Sequence, residues 1–123
     1  MGKLSGKTAV ITGCSGGLGK QLAIRFADEG ANLAICARSA DRLAATAKEC
    51  EAKGVQVLDM PTDLTDLEQM SAFVQAAAGK YGQIDILVNN AVSISSPHTF
   101  LDHTLEELEA TMHSGFYATW HMM

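Results

Sequence analysis

Apolar residues arrive along this chain in two alternating rhythms. Thr8-Ala9-Val10-Ile11-Thr12 and Asn32-Leu33-Ala34-Ile35-Cys36-Ala37 are almost continuously apolar, the mark of strands covered on both faces. Between such runs the apolar positions fall three or four residues apart, as on one face of a helix. Leu18, Leu22 and Phe26 predict a helix from Gly17 onward, and Gly30 stands where a left-handed cap is wanted. Ser39 is placed to cap a second helix that turns Leu43, Ala47 and Cys50 inward, with Gly54 closing it. Further strands are predicted over residues 55–58 and 84–88. Thr65-Asp66-Leu67-Glu68 matches a capping box ahead of a helix striped by Leu67, Met70, Val74 and Ala77. Thr104-Leu105-Glu106-Glu107 repeats the box, and Leu105, Leu108, Met112 and Phe116 carry a last helix.

Strands that alternate with helices need crossover connections and so make a parallel sheet. The expected fold is α/β: a doubly wound, Rossmann-type sheet truncated to about four strands, with helices on both faces. No repeat, low-complexity tract or linker interrupts the pattern. Residues 1–123 are therefore expected to form one domain.

Composition narrows the classes of function. The 123 residues are 47% hydrophobic and carry a formal charge of -5 with no basic cluster, so a nucleic-acid partner is not expected. No apolar run is long enough to span a bilayer, and the start of the chain lacks a signal-peptide core. Gly6 occupies the place where myristoylation after Met1-Gly2 needs Ser or Thr. Cys14, Cys36 and Cys50 form no CxxC pair and no even framework, which fits a reducing, cytoplasmic setting and small buried side chains. His98, His103, His113 and His121 lack metal-ligand spacing, so no metal is expected.

The candidate chemistry begins in the turn after the first strand, Thr12-Gly13-Cys14-Ser15-Gly16-Gly17-Leu18-Gly19. Gly13 permits a sharp exit from the strand. Gly17 lets a pyrophosphate approach the backbone, and Gly19 lets the following helix lie close to the sheet. The N–H groups and positive end of that helix would face the phosphates.

Thr-Gly-x-x-x-Gly-x-Gly at 12–19, Asp63 after the third strand and Asn89-Asn90-Ala91 after the fourth together resemble the classical short-chain dehydrogenase/reductase family. The resemblance implies a strand order of 3-2-1-4, NAD(P) lying across the strand ends, Asp63 beside the adenine and Asn90 lining the cofactor channel. The family usually follows Asn-Ala with glycine. This chain has Val92, which resists positive φ. An NAD-specific site needs a carboxylate at the end of strand two, where Ala37 stands, followed by Arg38 and Ser39. A guanidinium binds a 2′-phosphate through paired donors, so NADP(H) is expected over NAD(H). The candidate cofactor-binding residues are thus Gly13, Ser15, Gly17, Leu18, Gly19, Arg38, Ser39, Asp63, Asn90 and Ala91.

The family's reaction is reversible hydride transfer between nicotinamide and an alcohol or carbonyl. It uses a Tyr with a Lys four residues later, and a Ser on the preceding strand. Here Tyr81 is followed by Asp85 and Tyr117 by His121, and Met112 stands where an asparagine is usual. No catalytic residue is assigned. Two readings follow: the NADP(H)-binding portion of an oxidoreductase, inactive alone, or a noncatalytic nucleotide-binding or regulatory protein. On the first reading the edge strand at 84–88, with Asp85 its only charge, and the last helix with Phe116, Trp120 and Met122 are expected to drive self-association, whereas a stable monomer would favour the second.

Overall fold

A computed structural model describes residues 2–91 together with residues 104–106, 109 and 112. Four parallel strands, β1 (Thr8–Thr12), β2 (Asn32–Ala37), β3 (Val57–Pro61) and β4 (Ile86–Val88), alternate with α1 (Gly17–Asp28), α2 (Ala40–Glu51) and α3 (Leu67–Tyr81). The sheet order is β3-β2-β1-β4, as the family resemblance implied. β1 pairs with β2 from Thr8 opposite Asn32 to Thr12 opposite Cys36, and with β4 from Ala9 opposite Ile86 to Ile11 opposite Val88.

The strand alternation builds two cores. Ala9, Ile11, Leu33 and Ile35 point to one face and pack with Ala23 and Ala27 of α1 and Leu43, Ala47 and Cys50 of α2. Val10, Ala34 and Cys36 point to the other and pack with Met70, Phe73 and Ala77 of α3. The central strands β1 and β2 are thus covered on both sides, which explains their continuous apolar sequence.

Several local expectations change. The buried face of α1 is Gly19, Ala23 and Ala27, while Leu18 is 67% exposed and Leu22 and Phe26 are only half-buried. Small residues bring this helix down onto the sheet. In α3 the inward residues are Met70, Phe73 and Ala77; Leu67 is exposed and Val74 half-buried. The cap of α3 is Asp66 rather than Thr65: its carboxylate accepts from Glu68 and Gln69 N–H, while Thr65 donates its hydroxyl to Asp63. A charged acceptor takes the cap, and the hydroxyl turns to the neighbouring carboxylate.

β3 begins two residues later than expected and runs to Pro61, because Gln56 N–H is taken by the Asn32 side chain and ladder pairing starts at Val57. As an edge strand β3 tolerates exposed Asp59 and Pro61. β4 is shorter than residues 84–88. Asp85 sits just before it, its carboxylate accepting from Thr8 N–H at 2.9 Å and from the Gln83 amide at 2.6 Å. α2 matches its expectation, with the Ser39 hydroxyl accepting from Arg42 N–H. Gly30, at φ +90, closes α1 by donating to Ala27 C=O, and Ala31 donates to Phe26 C=O.

Of the last expected helix, Leu105, Glu106 and Glu109 are helical, and Leu105 and Met112 are exposed. Glu107, Leu108, Phe116, Trp120 and Met122 lie outside the described residues, as do Val92, Tyr117 and His98, His103, His113 and His121.

Candidate functional site

Parallel strands all end on the same side of the sheet, and every described candidate lies just beyond those ends or at the first turn of the helix that follows. Gly13 to Gly19 follow β1, Arg38 and Ser39 follow β2, Asp63 follows β3, and Asn90 and Ala91 follow β4. The order reverses between β1 and β4, and a crevice at such a switch point is where open α/β sheets receive ligands.

One hydroxyl and one close approach lock the two sides of that switch point. Thr12, fully buried, accepts from the N–H groups of both Asn90 and Ala91 at 3.0 Å. Its oxygen has two lone pairs, and both are used. The Asn90 side-chain amide donates to Gly13 C=O at 3.4 Å. A Cβ on Gly19 would fall on that same carbonyl oxygen, and one on Gly13 would lie 2.9 Å from the Asn90 amide nitrogen. Gly13 has φ +73, and the N–H groups of Gly13 and Cys14 both turn to Cys36 C=O at 2.9 and 3.1 Å. The turn is therefore tied to β2 on one side and to the β4 exit on the other.

Its outer surface is bare. Among the described residues nothing lies within 4 Å of a Cβ built at Gly16 or Gly17, and Gly17 adopts φ +57. α2 and α3 are capped by Ser39 and Asp66, with an acid in each first turn; α1 starts at Gly16 with no side-chain cap and no acid. Its first N–H groups and its positive dipole end are matched to an anion. Leu18 is exposed beside them and Ser15 half-buried. These features fit the phosphates of a dinucleotide: a cradle a side chain would fill, with donors facing it.

At the β2–β3 corner, Thr62 N–H donates to Ala37 C=O, which holds Arg38 and Asp63 side by side. The Asp63 carboxyl is held below its ordinary value, first by the Thr65 hydroxyl and then by Thr65 N–H; burial opposes this slightly, and the Arg38 guanidinium adds to it. Arg38 is exposed.

Tyr81 takes no part in this crevice. Its hydroxyl donates to Leu33 C=O at 2.6 Å, near the opposite end of β2, and burial pushes its pKa up to about 12. All three cysteines are free and buried. Burial pushes up the Cys14 thiol, takes Cys36 to about 12 and Cys50 to about 11, so none is a ready nucleophile. Among the described residues there is no cluster of metal-ligating side chains, and no helix is long and apolar enough to cross a membrane.

Two contributors were not singled out from the sequence. Thr12 stood in the quoted motif without a role. Thr46, a polar residue one turn along the buried stripe of α2, donates to Cys14 C=O. A hydroxyl among inward apolar positions is the signal that marks it.

A family model for short chain dehydrogenases matches residues 7–123. Human hydroxysteroid dehydrogenase-like protein 2 is 41% identical over 126 residues, covering 97% of this chain and 30% of that protein. A short chain dehydrogenase from Burkholderia cenocepacia J2315, solved in complex with NADP, is 34% identical with a TM-score of 0.91, covering 96% of this chain and 48% of that one. A short chain dehydrogenase from Mycobacterium paratuberculosis bound to NAD is 29% identical with a TM-score of 0.90, covering 97% and 48%. The chain thus spans less than half the length of each of these proteins.

Proposed function

The chain belongs to the short-chain dehydrogenase family, and from that premise we propose that residues 1–123 form its dinucleotide-binding unit, holding NADP(H) in preference to NAD(H). The observation that carries this reading is the bare, uncapped glycine turn at the β1–β4 switch point. In the proposed complex the N–H groups from Gly17 to Gly19 face the pyrophosphate, with Ser15 and Leu18 beside it. Asp63 lies at the adenine, and Asn90 and Ala91 border the nicotinamide side. Relatives in this fold are solved with NAD and with NADP, so preference has to come from the β2–β3 corner. There Ala37 offers no carboxylate to ribose hydroxyls, while exposed Arg38 and the Ser39 hydroxyl at the start of α2 suit a 2′-phosphate.

When bound, the cofactor supplies hydride exchange with an alcohol or carbonyl. The residues of this chain bind and orient it. Proton transfer to a carbonyl oxygen needs a phenol tuned towards neutral pH. Tyr81 is tuned the other way and committed to Leu33, and neither Tyr81 nor Tyr117 has a lysine four residues on. The 123-residue chain is therefore proposed to bind nucleotide without turnover.

Titration calorimetry with NADPH and NADH tests the preference. Wild type should bind NADPH more tightly, and Arg38→Ala should lose about tenfold or more for NADPH alone, the equivalent of one charge-assisted bond at roughly 1.5–3 kcal/mol. Equal affinities in wild type would refute it. Saturable NADPH oxidation with any member of a carbonyl panel would overturn the absence of turnover.

A further inference from the structure

The glycine turn is braced from outside its own sequence by one buried hydroxyl. Thr46 lies on α2, fully buried, and its Oγ1 donates to Cys14 C=O at 2.7 Å across 32 residues of chain. The same oxygen lies 3.3 Å from Arg42 C=O, the usual local acceptor for a helical threonine four residues on. A hydroxyl has one proton, so the two carbonyls compete for it, and the shorter contact goes to the turn. Cys14 is itself anchored: its N–H reaches Cys36 C=O at 3.1 Å and its thiol reaches Ile11 C=O at 3.4 Å. Two residues later the chain becomes glycine backbone, with nothing among the described residues within 4 Å of a Cβ position at Gly16 or Gly17. The start of α2 is secured separately, through Arg42 N–H and the Ser39 hydroxyl.

We infer that Thr46 is a positioning residue for the phosphate-binding turn: its hydroxyl fixes the Cys14 carbonyl, and through it the direction in which the N–H groups of Gly17 to Gly19 point. The inference rests on the nucleotide reading above. Without the brace the turn must be ordered when ligand binds, and that ordering is subtracted from affinity.

Thr46→Val keeps the shape and removes the hydroxyl, whereas Thr46→Ser keeps the hydroxyl and removes a methyl. The probe is ADP-ribose, which carries the pyrophosphate without a 2′-phosphate. It is titrated into the 123-residue chain well below the melting temperature of each variant. Thr46→Val should bind about tenfold more weakly, the equivalent of one buried hydrogen bond, and Thr46→Ser should stay within about twofold of wild type. Affinity should follow the hydroxyl and not the melting temperature, which a purely structural role would not produce. Unchanged affinity in Thr46→Val, equal losses in both variants, a loss confined to Thr46→Ser, or failure of Thr46→Val to fold would each overturn the assignment. A wild-type chain that binds neither ADP-ribose nor NADPH would remove the nucleotide reading, and this inference with it; if NADPH alone binds, it replaces ADP-ribose as the probe, and binding in wild type with no loss in Thr46→Val removes the inference alone.

Discussion

Gly19→Ala adds one methyl group and sets two magnitudes against each other. In a helix, alanine is favoured over glycine by about 1 kcal/mol, so the exchange should stabilise α1 if only propensity mattered. The structure leaves no room for it. The new Cβ would clash with the Gly13 carbonyl oxygen and lie 2.6 Å from the Asn90 amide nitrogen. Gly13 cannot retreat, because its N–H is bound to Cys36 C=O and its neighbour Thr12 holds Asn90 and Ala91. Overpacking of a fixed site costs about 1–3 kcal/mol, and displacing the Asn90–Gly13 bond adds about 1 kcal/mol. After the propensity gain the net loss is about 1–3 kcal/mol, or roughly 4–12 °C in melting temperature for a domain of this size.

Gly79→Ala is the control. Gly79 lies inside α3, and among the described residues nothing stands within 4 Å of its Cβ position. There the propensity term acts alone, and a gain of up to about 1 kcal/mol is expected. Urea and thermal unfolding of the two variants beside wild type make the comparison. A Gly19→Ala chain as stable as wild type, or shifted in the same direction as Gly79→Ala, would show that α1 does not rest on the Gly13 carbonyl and would undo the account of the locked switch point.

Two further outcomes are expected. Because the folded state lowers the Asp63 pKa from its ordinary 3.8, its contribution to stability is complete above that value and is lost as pH falls through the folded value. The gap between wild type and Asp63→Asn in urea midpoint should therefore be small at neutral pH, since the group is largely solvated, and should close on acidification; a gap that widens in acid would contradict the Thr65 and Arg38 contacts. The 123-residue chain is also expected to self-associate in light scattering over a concentration series, because among the described residues β4 has no strand on its outer side and Ile86, Leu87 and Val88 carry no charge there; a monodisperse monomer at high concentration would refute this.

The two-faced packing was legible because central strands must be apolar throughout and crossovers permit few topologies, whereas the strand order came from the family resemblance. β1 and β2 match their predicted bounds to the residue. The edge strands were less legible. β3 reads through Asp59 and Pro61, residues that argue against a strand unless its outer side is free, and β4 is shortened because Asp85 takes the Thr8 N–H with its side chain. Periodicity marks apolar positions, but it does not reveal which side chain outcompetes the backbone for a donor. The same blindness put the α3 cap at Thr65 when the carboxylate of Asp66 holds it.

The glycine turn was easier to read than the helix beside it, and one physical requirement accounts for both. A glycine turn announces itself by residue type, since only glycine meets the demands of φ +73 at Gly13 and of contact with a carbonyl at Gly19. That contact then decides how α1 lies. Once Gly19 rests on the Gly13 carbonyl, the residues four and eight positions on, Ala23 and Ala27, must face the sheet. Leu18, Leu22 and Phe26 have the same four-residue spacing displaced by one position, about 100° around the helix, and are the larger side chains. Counting apolar bulk therefore selects the wrong stripe. The helix buries its smallest residues because the turn needs close approach, and Leu18 is left exposed beside the backbone of Gly17.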